Sequence, residues 1–303
     1  MKSDFRLRVF ISVAKNLSFT KASKELFVSQ PAITKHIHEL ETEYQTSLFN
    51  RMGNKISLTE AGKLLLTHSE SILEAYRRLE YDMNLLNNKY NGELRLGAST
   101  TIAQYVLPEI LAKFNERYPQ IKVSLLDANS RNIEQALVNH DIDLGLVEGV
   151  IRIPEIRYED FLSDEIVAVA RTDSSLPEEI PLHGLHEIPL VLREYGSGTL
   201  DVIEQALLAH KIKLSDLHIK LQLGSTESIK SYLRHSPNCL GLVSILSITR
   251  ELQNGTFRIV EIEGDFIMKR QFSLAFNQGS EIPQVANFAN FIRNRLKTKK
   301  AEV

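Results

Sequence analysis

Along the first 44 residues, apolar positions recur at spacings of three and four, the period of a helix with one buried face. Phe5, Leu7, Val9, Phe10, Val13, Ala14 and Leu17 predict a first helix over 5–17. Ser18 and Thr20 are candidate N-caps for a second over 21–27, with Ala22, Leu26 and Phe27 facing inward. Val28-Ser29 is a very short turn, Ser29 caps a third helix, and Pro31 sits in its first turn, where a missing N–H costs little. That helix is predicted to reach about Tyr44 and to bury Ala32, Ile33, Ile37, Leu40 and Tyr44. Leu48-Phe49 and Ile56-Ser57-Leu58 then flank a Gly-Asn turn, the pattern of a small two-stranded wing. From Leu58 the apolar period becomes seven, through Leu65, Ile72, Leu79 and Leu86, with Tyr76 and Met83 in a second seam. A pairing helix over 59–89, roughly 45 Å long, is the natural reading, ended by a polar run at 87–92.

Beyond Glu93 short apolar runs alternate with helical segments. Strands are predicted at 94–97, 122–126, 144–147, 166–170, 190–192, 220–223, 240–243, 258–262 and 271–276. Helices are predicted at 106–118, 133–140, 199–211, 227–235, 245–254 and 283–299. Alternation of this kind predicts α/β lobes with mainly parallel sheets. In such lobes ligands sit at the carboxyl ends of strands, beside helix starts.

Two short helices joined by a tight turn, the second with a polar outer face, satisfy the requirements of a helix-turn-helix. The third helix exposes Gln30, Thr34, Lys35, His36, His38 and Glu39. Gln can read adenine, Lys can read guanine, and Thr can meet a base edge or a phosphate. Arg51, Asn54 and Lys55 fall in the wing, beside the expected path of the phosphate backbone. Charge supports this division weakly: residues 1–62 hold nine Lys/Arg against six Asp/Glu, whereas the whole chain carries −2.

The run from Ser18 to Leu66 resembles the N-terminal winged helix-turn-helix of LysR-type transcriptional regulators. The resemblance rests on Ser18, Phe19, Thr20, Ala22, Leu26, Ser29 through Ile33, Leu40, Glu41, Leu48, Phe49, Arg51, Leu58, Thr59, Ala61 and Gly62. Ser23 and Thr34 depart from the family's usual residues, and Gln45 stands where the family usually has Gly. The resemblance implies a multidomain α plus α/β protein: a winged helix-turn-helix at 1–62, a linker and dimerisation helix at 63–90, and an effector domain at 91–303. That effector domain would have the two-lobed fold of type-2 periplasmic binding proteins, with lobe 1 at about 91–162 and 267–303 and lobe 2 at about 163–266. It implies contact with double-stranded promoter DNA through Ser29, Gln30, Pro31, Thr34, Lys35, His38, Arg51, Asn54 and Lys55. Self-association is implied too: tetramers are common in the family, although the heptads by themselves argue only for pairing. RNA polymerase is a candidate partner.

Three polar clusters fall where strands meet helices: Ser99-Thr100-Thr101, Gly196-Ser197-Gly198-Thr199, and Thr226 within Ser225-Thr226-Glu227. Hydroxyls and free N–H groups there suit a small anion or carboxylate, and the glycines allow close approach of a ligand. Each Ser or Thr also reads simply as a helix cap. The resemblance gathers them around an interlobe cleft and so favours an effector site. Leu200 follows Thr199 where oxyanion-sensing relatives often place Arg, leaving Arg193 as a cation nearby.

Composition adds limits. With 303 residues, 43% hydrophobic and 24% charged, the chain reads as two or three globular domains. No apolar stretch is long enough for a membrane span, and Asp4, Arg6 and Arg8 stand where a signal peptide would be apolar, so a cytoplasmic protein is expected. A single cysteine, Cys239, excludes an intrachain disulfide. His36-x-His38 points two ways on a helix, Asp141 and Asp143 read as a solvated turn, and no phosphate-cradling, zinc-protease or nucleophile-elbow motif occurs. No cofactor, metal or catalytic residue is therefore expected. A solute-binding protein would explain the two lobes but has no use for a helix-turn-helix, and an enzyme fused to a DNA-binding head lacks any reactive constellation. If the third helix reads bases, Gln30→Ala blunts sequence preference, whereas Lys55→Ala weakens all sequences alike and lowers the log–log salt slope by about one. Gel-shift titrations on specific and scrambled duplexes over a salt series separate the two outcomes.

Overall fold

The computed structural model describes residues 5–52, 55–86, 92–264, 266–278 and 283–301, and the chain forms two compact units, Met1–Tyr90 and Asn91–Val303. The first unit runs α1 (Phe5–Asn16), α2 (Phe19–Leu26), α3 (Gln30–Glu43), β1 (Phe49–Met52), β2 (Lys55–Leu58) and α4 (Glu60–Leu86). Ser18 accepts the Lys21 N–H at 3.2 Å, so α2 begins at Phe19, two residues before the predicted start, and Thr20 lies inside it. Ser29 caps α3 as expected, with Pro31 in its first turn. Val9, Phe10, Val13, Ala22, Ile33, Ile37, Leu40 and Leu48 form the core beneath the three helices.

Two inward predictions fail at helix ends. Phe27 takes a left-handed φ of 55° as the C-cap of α2, which turns its ring out to 94% exposure. Tyr44 is the C-cap of α3 and half exposed, one position past the buried face. Other family-motif residues have direct structural reasons. Glu41 accepts the Leu48 N–H at 2.9 Å, and Thr59 donates to Ser47 O at 2.7 Å while capping the Gly62 N–H at 2.9 Å. A Cβ on Gly62 would lie 2.2 Å from Leu48 O, so only glycine lets α4 start against that turn. β1 and β2 pair antiparallel from Phe49↔Leu58 to Met52↔Lys55, forming the wing.

In the second unit the elements are β3 (Gly92–Ser99), α5 (Thr100–Tyr105), α6 (Leu107–Arg117), β4 (Ile121–Ala128), α7 (Ser130–Val138), β5 (Leu144–Glu148), β6 (Ile156–Arg171), β7 (Glu179–Ile180), β8 (Leu190–Arg193), α8 (Gly198–Ala209), β9 (Ile219–Leu223), α9 (Thr226–His235), β10 (Leu240–Ser244), α10 (Thr249–Gln253), β11 (Phe257–Ile262), β12 (Lys269–Asn277) and α11 (Pro283–Ala301). The strand order β4-β3-β5-β12-β6-β10-β8-β9, with β11 also on β6, makes two lobes that share β6. β3 pairs parallel with β4 and β5, and β8 with β9 and β10, as expected of βαβ units, and the short β7 also pairs parallel with β11.

The prediction of mainly parallel sheets is corrected at the centre. The strands that pass between the lobes pair antiparallel: β12 with β5 and β6, and β6 with β10 and β11. β6 is one continuous strand that pairs with β12 up to Glu165 and with β10 from Ile166 on, so the change of lobe falls between these two residues. Its first half, Ile156 to Ser163, sets pairs of half-buried residues between exposed ones and lacks the strict alternation that marks a strand in sequence. Separate hydrophobic cores fill the lobes, around Leu96, Phe114, Phe272 and Phe288 in one and Leu192, Ile203 and Leu242 in the other. Asp143, read as part of a solvated turn, is instead buried and accepts the Arg95 N–H at 2.8 Å. Among the described residues, no helix is long and apolar enough to cross a membrane.

Gln45 adopts a left-handed φ of 51°, the conformation that the glycine usual in the family would take without strain. Gln45→Gly should therefore raise stability by up to about 1 kcal/mol, and the β-branched Gln45→Val should lower it by at least as much. Urea unfolding of the full chain, followed by circular dichroism, checks both signs.

Candidate functional site

Two surfaces gather the candidate residues. On α3, Ile33, Ile37 and Leu40 hold the helix to its core, which leaves Gln30, Pro31, Lys35 and His38 exposed and Thr34 half-buried along one outer strip. These five line a shallow surface depression together. Thr20 of α2 donates to Gln30 Oε1 at 3.2 Å, and Thr34 back-bonds to Gln30 O at 3.1 Å, so the amide is held by its neighbour helix. His36 departs from the strip: its ring packs edge-on against Phe5 at 5.4 Å and meets Glu39 at 3.2 Å. The two histidines do face different ways. Arg51 and Lys55 lie on β1 and β2, while their side chains, and Asn54 as a whole, lie outside the described residues.

In the second unit the turns after β3, β4, β5, β8 and β9 meet where the two lobes touch. Thr101 and Thr199, one from each lobe, both donate to Glu148 Oε1, at 3.2 and 2.9 Å. Arg270 of β12 joins them, its Nη1 donating to Thr199 Oγ1 at 2.8 Å and lying 3.2 Å from Glu148. Its other edge holds Asp164 of β6, with Nε to Oδ2 at 2.7 Å, and Ser244 at the end of β10 donates to Asp164 Oδ1 at 2.8 Å. The charged side chains of this cluster are at most 1% exposed. Burial pushes the Asp164 carboxyl up, against the pull of Arg270.

The glycines are explained by approach and by φ. A Cβ on Gly198 would fall 1.9 Å from Glu148 O, so the start of α8 can rest on the end of β5 only with glycine there. Gly196 has a φ of 86°, and its carbonyl accepts the Arg131 N–H across the lobes at 3.2 Å. Ser197 caps α8, accepting the Thr199 N–H at 3.3 Å. Thr226 is buried as the first residue of α9. Ser99 and Thr100 differ from the rest: their hydroxyls are buried and bond to no protein group.

Residues that sequence reasoning missed complete the picture. Asp164, Ser244 and Arg270 carried no motif and fall just outside the strands predicted at 166–170, 240–243 and 271–276. Tyr105 of lobe 1 donates its hydroxyl to Glu227 of lobe 2, and Lys230 holds the same carboxylate at 2.7 Å. Burial, and then the Glu227 bond, push the Tyr105 hydroxyl up; against partial burial, the Lys230 and Tyr105 bonds hold Glu227 below the usual carboxylate range. Among the described residues, no three His, Cys, Asp or Glu side chains gather to hold a metal ion, and Cys239 is packed in the core of lobe 2.

A winged helix-turn-helix joined to two lobes hinged on crossing strands defines a ligand-responsive DNA-binding regulator. The chain belongs to the LysR family: residues 5–63 match the bacterial regulatory helix-turn-helix protein, lysR family, and residues 87–297 match the LysR substrate binding domain. It is a LysR-type transcriptional regulator with a DNA-binding head and an effector-binding domain. It is 34% identical to the HTH-type transcriptional regulator YeiE of Escherichia coli (strain K12) over 277 residues, covering 90% of this chain and 91% of that one. The regulatory domain of Synechocystis PCC6803 CcmR, solved in complex with 2-PG, matches with a TM-score of 0.61 at 27% identity, over 68% of this chain and 98% of that one. Full-length CbnR, solved with its target DNA, shares the fold with a TM-score of 0.64 at 22% identity, over 97% of this chain and 99% of that one.

Removing one partner from a buried ionic cluster leaves charge without compensation, at a cost of about 3–5 kcal/mol. Arg270→Met should destabilise the second unit by that order. Arg270→Lys should recover only part of it, since a point charge cannot bridge two carboxylates. Hydrogen exchange of β6 and β12 amides, alongside calorimetric unfolding, measures the loss.

Proposed function

We propose that this regulator binds its operator as a homodimer or homotetramer and is controlled by a small anion or carboxylate held between the lobes. The observation that carries the ligand class is the pair of buried, unbonded hydroxyls on Ser99 and Thr100 at the carboxyl end of β3. Buried hydroxyls without partners are costly, and an acceptor-rich ligand satisfies them. The solved complex of a similar regulatory domain with 2-PG supports the same class. Gly196, Ser197, Gly198 and Thr226 line the opposing lobe, while Thr101 and Thr199 act through Glu148, setting how the lobes meet.

In the head, Gln30, Thr34, Lys35 and His38 face bases, with Ser29 and Pro31 fixing the start of α3 and Arg51, Asn54 and Lys55 on phosphates. Ile72 and Leu79 expose the apolar seam of α4, which supports pairing of two chains through this helix. Two heads then meet a two-fold DNA site. Ligand shifts the population between lobe arrangements, and the paired subunits pass that bias to the heads and to RNA polymerase. The protein works in the cytoplasm and catalyses no reaction.

A thermal-shift screen of the full chain against inorganic oxyanions, small carboxylates and 2-PG tests the ligand class. A saturable rise in melting temperature that Thr100→Val abolishes, with DNA binding intact, is the expected result. No rise with any anion in the folded wild-type chain sinks the anionic reading.

A further inference from the structure

Gln30 opens α3 as the residue after its Ser29 cap, and α2 holds its side chain from outside the helix. Thr20, the second residue of α2, donates its hydroxyl to Gln30 Oε1 at 3.2 Å. Both backbones are pinned here. Ser18 accepts the Lys21 N–H at 3.2 Å, Ser23 Oγ donates to Thr20 O at 2.9 Å, and Thr34 Oγ1 donates to Gln30 O at 3.1 Å. Thr34 and Thr42 of α3 and Thr67 of α4 spend their hydroxyls on the carbonyl four residues back in their own helix. Thr20 lies too near the start of α2 to have such a carbonyl, and Ser18 has taken the cap, so its hydroxyl crosses to the neighbouring helix.

The way round that an amide faces decides what it can read. Glutamine has two such orientations, half a turn apart, with the carbonyl and the NH2 exchanged. Adenine offers the N7 acceptor beside the N6 amino donor, so Nε2 on N7 and Oε1 on N6 match it. Guanine offers two acceptors, N7 and O6, and in the same orientation Oε1 would meet O6, acceptor against acceptor. The Thr20 bond occupies one lone pair of Oε1, leaving the other lone pair and the Nε2 hydrogens to face outward. In the free head both partners are exposed and water competes for this bond. Docking on DNA removes that water and strengthens it.

We infer that Thr20 is a positioning residue for base recognition, holding the Gln30 amide so that Nε2 and Oε1 together meet the N7 and N6 edge of one adenine in the major groove. The role rests on the reading that Gln30 faces bases, and deepens it. Thr20 acts through Gln30 and reads no base itself. Without its hydroxyl the amide turns freely and guanine gains on adenine, while overall affinity, set mainly by phosphate contacts, changes little.

The test begins with duplexes selected by the full wild-type chain from a pool with a random central segment. Gel-shift affinities are then measured for the best duplex and for each of its single A·T to G·C variants. Gln30→Ala identifies the base pair that the amide reads, as the one where discrimination is lost. At that pair Thr20→Val, which keeps the branched shape and removes the donor, should lower the adenine-over-guanine ratio about 3- to 10-fold, the worth of one hydrogen bond. Thr20→Ser should restore the ratio, and Thr20→Val added to Gln30→Ala should change nothing further. Since Thr20 is exposed, melting followed by circular dichroism should be alike for all these variants. If Thr20→Val weakens every duplex equally and leaves the ratio intact, the hydroxyl serves the phosphate backbone and the inference is wrong. It is equally wrong if ratio and affinity both stay at wild type. If Gln30→Ala costs no discrimination at any pair, the base-reading assignment of Gln30 falls, and the role of Thr20 with it.

Discussion

Arg270 sits where everything in the effector domain has to agree. It lies on one crossing strand, bonds Asp164 on the other, and reaches Glu148 and Thr199 from the two lobes. Its carboxylate partners are fully buried, so the energy of the cluster depends on all members keeping their places. A rotation of one lobe that withdraws Thr199 or Ser244 strips a hydrogen bond from a buried charge. Glycine at position 198 belongs to the same constraint, since any side chain there would push α8 off Glu148.

The polar groups at the strand ends fall into two sets by their hydrogen-bond partners. Thr101 and Thr199 look like ligand donors in sequence but are occupied by Glu148. Ser99 and Thr100, in the same cluster, remain unbonded. Neighbours in sequence thus differ in partners: Thr101 is committed to Glu148, whereas Ser99 and Thr100 keep unbonded hydroxyls. In the DNA-binding head, similar economy puts the hydrogen-bonding side chains of α3 on the face its three buried residues leave outward, with α2 steadying Gln30.

Sequence alone was enough for the helix-turn-helix, the wing, the heptad helix and nearly every strand of the lobes, because each rests on local period, caps and turn residues. It also carried the family, through residues whose spacing is set by direct contacts: Ser18 and Ser29 as caps, Glu41 on the Leu48 N–H, and Gly62 against Leu48 O. The outward turn of Phe27 and Tyr44 was not legible, since a helix's last residue leaves the period that predicted it. The first half of β6 was not legible either, because it is stabilised by pairing with β12 more than a hundred residues later, and its own residues lack a two-residue burial period.

Tertiary structure alone decided which polar residues have partners. Asp164, Ser244 and Arg270 are far apart in the chain and carry no motif, and their meeting follows from antiparallel pairing across the hinge. The same holds for Arg193: its sequence shows only a cation near a Gly-Ser-Gly-Thr turn, while burial, its double bond to Glu194 and one N–H without a partner emerge only when both lobes are assembled. Period and capping are properties of neighbouring residues and are written locally. Satisfaction of a buried charge depends on whatever the fold brings within about 3 Å, and no local pattern records that.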